Sequence, residues 1–188
     1  MTDLSPLTAL GAAAPRRQSF GALTIWENAD MALASLALRR SSAPPQPFGL
    51  TLPAAAGWQA ADGIAAFWTA PGQWMIEAAG RATADFAADL AAAAPGCSVT
   101  EQTDGWVCFE LAAASQADAL GRILEKLVNI DPEQLQPGTA LRTGLDHQSV
   151  FLLRRAPDHL AIWGMRSAAR SLWHAITSAA ERQTVSPG

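Results

Sequence analysis

Three groups of residues in this sequence have the types that chemistry requires, and spacing decides what each can do. The first is the adjacent pair Asp146-His147, with Ser149 two residues on: an acid, an imidazole and a hydroxyl. Neighbours along a strand point to opposite faces, so these three do not line up as orienting acid, base and nucleophile. The pair reads instead as a solvated turn before "QSVFLLRR". The second group holds the metal-ligating types, His147, His159, His174, Cys97 and Cys108. None stands at ligand spacing from another, and no metal site is expected. The third is "GMRSAARSLWHA", residues 164–175, which sets Arg166, Ser167, Arg170 and His174 at the start of a predicted helix.

A helix N-terminus carries about half a positive charge, so a cation in its first turn costs about 0.3–1 kcal/mol unless something negative compensates. Arg166 and Arg170 therefore call for a partner. It can be a bound phosphate or carboxylate, an acidic patch on another chain, or an Asp or Glu of this chain, the last being the commonest case. Arg166, Ser167, Arg170 and His174 are accordingly the candidate anion or subunit contacts. Dinucleotide, P-loop, nucleophile-elbow and paired C-x-x-C motifs do not occur, so no catalytic or cofactor-binding residue is expected.

The elements that must position these residues follow from periodicity. Behind Arg166, the apolar residues Ala169, Leu172, Trp173, Ile176 and Ala180 share one helix face, while Arg166, Arg170, His174 and Ser178 recur every four residues on the other. Three strands, "TALRTGL", "QSVFLLRR" and "HLAIWGM", lead into that helix. Upstream, "SQADALGRILEKLV" (115–128) predicts a helix with Ser115 and Asp118 as a capping-box variant and Leu120, Ile123, Leu124 and Leu127 on one face. "TADFAADLAAAAPG" (83–96) predicts another, with Thr83 as cap and Pro95-Gly96 as stop.

Strands fill the rest. "FGALTIWEN" and "MALASLALR" predict a strand pair turning at Asn28–Asp30, and residues 63–78, broken at Pro71-Gly72, predict a hairpin or a strand with a kinked end. "CSVTEQT" and "WVCFELA" predict a second hairpin turning at Asp104-Gly105, which would set Cys108 across from Glu101 and leave both cysteines as small buried thiols. Residues 39–47, with three prolines, form a connector, after which "FGLTLP" offers one short helical turn. The order predicts an α+β fold: a mainly antiparallel sheet with helices packed on one face.

Composition bounds the remainder. A chain of 188 residues with 49% hydrophobic content predicts one domain over 19–183, with an N-terminal arm (1–18) and a C-terminal tail (184–188). Only 16% of residues are charged and the net charge is -4, which argues against nucleic acid as a partner. No run reaches the ~20 apolar residues that span a bilayer, and "MTDLSPLTALG" lacks the regions of a signal peptide, so no membrane and a cytoplasmic location are expected. Seven Trp and no Tyr suggest that some indoles serve at subunit contacts, although most such residues belong to cores.

Taken in order, "SPL" (5–7), "APGQW" (70–74), "TDGWVCFEL" (103–111), "PGTALRTGLDHQSVFLLRR" (137–155) and "MRSAARSLWHAI" (165–176) resemble the gamma subunit of heterotetrameric sarcosine oxidase. The resemblance spans nearly the whole chain. It implies an architecture similar to the folate-binding module of the glycine cleavage aminomethyltransferase. It also implies alpha, beta and delta partner subunits: alpha carrying NAD and the tetrahydrofolate site, beta carrying FAD and covalent FMN, and delta holding zinc. Gamma would carry no cofactor. The assembly would demethylate sarcosine to glycine, pass electrons to oxygen to give hydrogen peroxide, and transfer the one-carbon unit to tetrahydrofolate. The resemblance assigns no catalytic residue here, so a non-catalytic subunit is the expectation. The alternatives are a free-standing folate-binding or aminomethyltransferase-like protein, and a transient assembly factor for the same enzyme.

Overall fold

A computed structural model describes residues 6–39, 43–114 and 118–184. In chain order the strands are β1 (Arg17–Phe20), β2 (Leu23–Glu27), β3 (Ala32–Leu38), β4 (Trp58–Ala61), β5 (Ile64–Ala70), β6 (Gln73–Ala78), β7 (Cys97–Glu101), β8 (Trp106–Ala113), β9 (Thr139–Leu145), β10 (Gln148–Ala156) and β11 (His159–Met165). The helices are α1 (Phe86–Ala93), α2 (Asp118–Leu127) and α3 (Ala169–Thr184).

Alternation along the strands creates four layers. A six-stranded antiparallel sheet runs β1-β2-β8-β11-β10-β9, and a five-stranded one runs β4-β5-β6-β3-β7. On the outer face of the larger sheet, Ile25, Phe109, Leu111, Val150, Leu152 and Ile162 pack against Leu120 and Ile123 of α2 and Leu172 and Ile176 of α3. On the outer face of the smaller sheet, Leu36, Trp74 and Ile76 pack against Phe86 and Leu90 of α1. Between the sheets lie Leu33 and Phe67 from one side and Cys108, Phe151, Leu153 and Trp163 from the other, with the Phe67 and Phe151 rings 5.1 Å apart. The sheets join along one edge, where Trp58 N–H donates to the Gly138 carbonyl at 2.8 Å and Ala140 N–H to the Ala56 carbonyl at 2.8 Å.

The α+β class and the antiparallel pairing stand, but the strands divide into two sheets, with α2 and α3 on the outer face of the larger and α1 on that of the smaller. The expected pairing of β2 with β3 does not occur. Asn28 N–H bonds to the Cys108 carbonyl at 2.9 Å, prolonging the β2–β8 ladder, and the chain then crosses to the other sheet. The expected hairpin of β7 and β8 fails in the same way: β7 pairs with β3, β8 pairs with β2 and β11, and residues 103–105 form a 3-10 turn between the sheets. Gly105 is not left-handed there, so Asp-Gly makes no two-residue hairpin turn. Cys108 consequently stands opposite Trp163, not Glu101, and Cys97 lies in the separate core under α1; both thiols are buried and free.

Smaller differences have local causes. The cap of α1 is Asp85, whose carboxylate accepts from Ala88 N–H at 3.1 Å, so Thr83 stays outside the helix. The capping role expected of Ser115 lies outside the described residues. The expected hairpin of β5 and β6 is present, and Asp146 and His147 form the exposed two-residue turn between β9 and β10, both left-handed at φ 47° and 63°. No tryptophan is exposed: Trp74, Trp163 and Trp173 are buried, and Trp26, Trp58, Trp68 and Trp106 are half-buried. Within residues 1–18, read as an arm, β1 begins at Arg17 and Leu10 is buried in the core under α3. No helix is long and apolar enough to cross a membrane among the described residues.

Candidate functional site

The four residues singled out at the last helix are placed by the junction of β11 and α3. Gly164 eases that junction: a Cβ there would sit 2.3 Å from Leu172 Cδ1, so any larger residue forces the Leu172 side chain to move. Residues 166–168 form a 3-10 turn before α3 begins, so Arg166 and Arg170 are not one α-helical turn apart. Arg166 Nη2 donates to the Leu7 carbonyl at 2.8 Å. Its partner is thus a backbone oxygen of the N-terminal segment, where an Asp or Glu side chain was expected. Ser167 is exposed and closes no cap.

Arg170 and His174 do come together, in a cleft of about 450 Å³ shared with Leu10, Arg16, Gln18, Trp173, Thr177 and Glu181. Arg16 and Gln18 are two apart at the start of the edge strand and face the helix, while Arg17 points the other way, 4.8 Å over the Trp26 ring. The Arg16 guanidinium lies 5.7 Å over the Trp173 ring, a favourable stacking position for a cation. The segment before β1 is fastened by one buried carboxylate: Glu27 accepts from Leu10 N–H at 3.0 Å and from Arg16 N–H at 3.4 Å. Leu7 and Met165, at the two ends of the Arg166 contact, are exposed large apolar side chains, two of the few among the described residues. The region therefore offers Arg16, Arg170 and His174, with Glu181 in the same cleft, beside two exposed apolar side chains, a polar and apolar mixture suited to contact with another chain.

A second constellation was not anticipated. Glu77 of the smaller sheet and Glu110 of the larger are both almost fully buried, and the Arg155 guanidinium joins them across the gap. Arg155 Nη2 lies 2.8 Å from Glu77 Oε1 and 3.2 Å from Glu110 Oε1. Indole N–H groups complete the first carboxylate, Trp163 at 2.5 Å and Trp58 at 3.0 Å; Asn28 Nδ2 donates to the second at 3.1 Å. His159 Nε2 stands 3.0 Å from Glu110 Oε2, but off the line of an N–H···O bond.

Burial alone would raise the Glu110 carboxyl, yet His159 and the charge of Arg155 outweigh it and hold the group below the usual carboxylate range. Burial likewise opposes the charge on Arg155, but Glu77 and Glu110 make it still harder to deprotonate. Burial and the Glu110 charge push the Cys108 thiol well above its ordinary value, so it is no nucleophile at neutral pH. Cysteine, histidine and glutamate stand together here, but both carboxylates are already satisfied. The arrangement clamps the two sheets.

A clue was present in "WVCFEL": with Val107, Phe109 and Leu111 on one face, Glu110 shares the other with Cys108, which is not the pattern of a solvated face. Among the described residues, no cluster of three or more His, Cys, Asp or Glu is placed to hold a metal ion.

No protein-family model matches the sequence, and no curated protein matches it. Among solved structures, the chain is similar to a chain of the heterotetrameric sarcosine oxidase from Corynebacterium sp. U-96 in complex with pyrrole 2-carboxylate. That match has a TM-score of 0.75 and 21% sequence identity, over 91% of this chain and 90% of that one. The glycine cleavage system aminomethyltransferase T from Bartonella henselae is also similar, with a TM-score of 0.56 and 16% identity over 83% of this chain. There the match spans 48% of the other chain, so this protein corresponds to about half of that enzyme. The fold is thus one found in both a sarcosine oxidase and an aminomethyltransferase.

Proposed function

We propose that this chain is a non-catalytic subunit, gamma-like, of a heterotetrameric sarcosine oxidase, and that it supports assembly of the large subunits that carry the flavins, NAD, zinc and folate. One observation carries the reading: the structural match to a chain of such an enzyme has a TM-score of 0.75 and covers 91% of this chain and 90% of that one. The cleft of Arg16, Arg170 and His174, with exposed Leu7 and Met165 beside it, supplies the docking surface. Interfaces of this kind combine apolar anchors with arginines that meet carboxylates of the partner.

The test is co-expression with the candidate alpha, beta and delta chains and purification through a tag on this chain. The expected result is recovery of all four chains with flavin bound. Recovery of this chain alone, together with unchanged flavin loading in its absence, overturns the reading. The aminomethyltransferase likeness favours a second reading, folate binding by the isolated chain. Titration with a reduced folate decides it, since a specific site raises the melting temperature with ligand concentration.

A further inference from the structure

Adjacent residues on β10 have opposite surroundings. Arg155 enters the clamp between the sheets, whereas Arg154 lies on the outer face in line with Val150 and Leu152. There it lines a cavity of about 410 Å³ beneath α2 and the loop that follows, with apolar walls from Leu124, Ile130, Leu135, Pro137 and Pro157. Arg154 donates from Nη2 to the Pro157 carbonyl, but its Nε is buried and has no hydrogen-bond partner. Burial works against its charge, and Asp158 offsets this only in part. Nε is sealed from solvent, so what Arg154 offers the cavity is the rest of its half-buried guanidinium, a single positive charge set beside apolar walls.

We propose that this cavity binds a monocarboxylate with an apolar body, the body lying among Leu124, Ile130 and Leu135 and the carboxylate on the Arg154 guanidinium. Its size falls within the range of small-molecule pockets, about 300–1,000 Å³, and apolar walls with one charged group are the usual composition of such sites. A single guanidinium suits a single negative charge. Glu125 also lines the cavity and disfavours a dianion such as phosphate. The proposal is independent of the subunit reading, because the cavity shares no residue with the Arg16, Arg170 and His174 cleft.

The probes are acetate, hexanoate, octanoate and benzoate, titrated into the full chain by calorimetry and thermal melting, with octanol and octylammonium as controls of matched body. Saturable binding of octanoate or benzoate is expected, with acetate and both controls at least about tenfold weaker. Arg154→Gln should lose at least about tenfold in affinity. Ile130→Trp, which fills the cavity and keeps the arginine, should abolish binding while retaining a cooperative melt. Binding of octanol as tight as that of octanoate overturns the proposal, as does unchanged affinity in either variant or the absence of saturable binding across the panel.

Discussion

Arg155 holds two buried glutamates from two different sheets, and its removal leaves both uncompensated. Breaking such a group by deleting one partner typically costs about 3–5 kcal/mol. Arg155→Met should therefore lower stability in urea unfolding by about that amount, and adding Glu77→Gln and Glu110→Gln should recover part of it; near-wild-type stability of the single variant would contradict the clamp. The pH dependence has a definite sign. The folded Glu110 carboxyl lies below its unfolded value, so its contribution is complete above the ordinary glutamate pKa of about 4.3 and is lost as pH falls through the folded value. Glu110→Gln should flatten the acid side of the stability profile and leave its slope near neutrality unchanged. Little of this clamp was legible beforehand. Glu77, Glu110 and Arg155 are distant in sequence, and each sits in an apolar strand whose inner face looks like any other until a second sheet is placed against it.

At the scale of elements, alternation identified nearly all the strands but not their partners. The segments Leu23–Leu38 and Cys97–Ala113 each present two strands with a short polar break, the local pattern of a hairpin. In both, the break is a crossing between sheets, and what decides this is nonlocal: Leu33 and Gln102 bond to each other, and Leu33 N–H also donates to Thr103 Oγ1 at 2.9 Å. The true two-residue turn at Asp146-His147 lacks the glycine that usually marks one. The last helix was read more fully, since its apolar stripe Ala169, Leu172, Trp173, Ile176 and Ala180 is buried throughout. What the stripe did not reveal is the role of Gly164 as the seat of Leu172. Gly164→Ala should destabilise the fold by about 1–3 kcal/mol through overpacking at that seat, measured by thermal unfolding, and pairing it with Leu172→Ala should cost less than the sum of the two.

For the whole molecule, the distribution of charge matters more than its total. The chain carries a net -4, yet Arg16, Arg166, Arg170 and His174 gather where the N-terminal segment meets α3. The sequence pointed to three of these four, because the helix stripe is local; Arg16 was hidden in a segment without periodicity and joins them only through the fold. Arg170 is exposed, so Arg170→Glu should leave the melting temperature of the isolated chain nearly unchanged while weakening capture by partner chains at least about tenfold. Equal loss of fold and capture would make the arginine structural. Membership of a larger enzyme is tested most directly by native mass spectrometry of the complex purified through a tag on this chain. The expected mass is that of one copy of this chain with three others, flavin retained. A mass corresponding to this chain alone, with the flavin-bearing chains assembling fully without it, would rule out that membership.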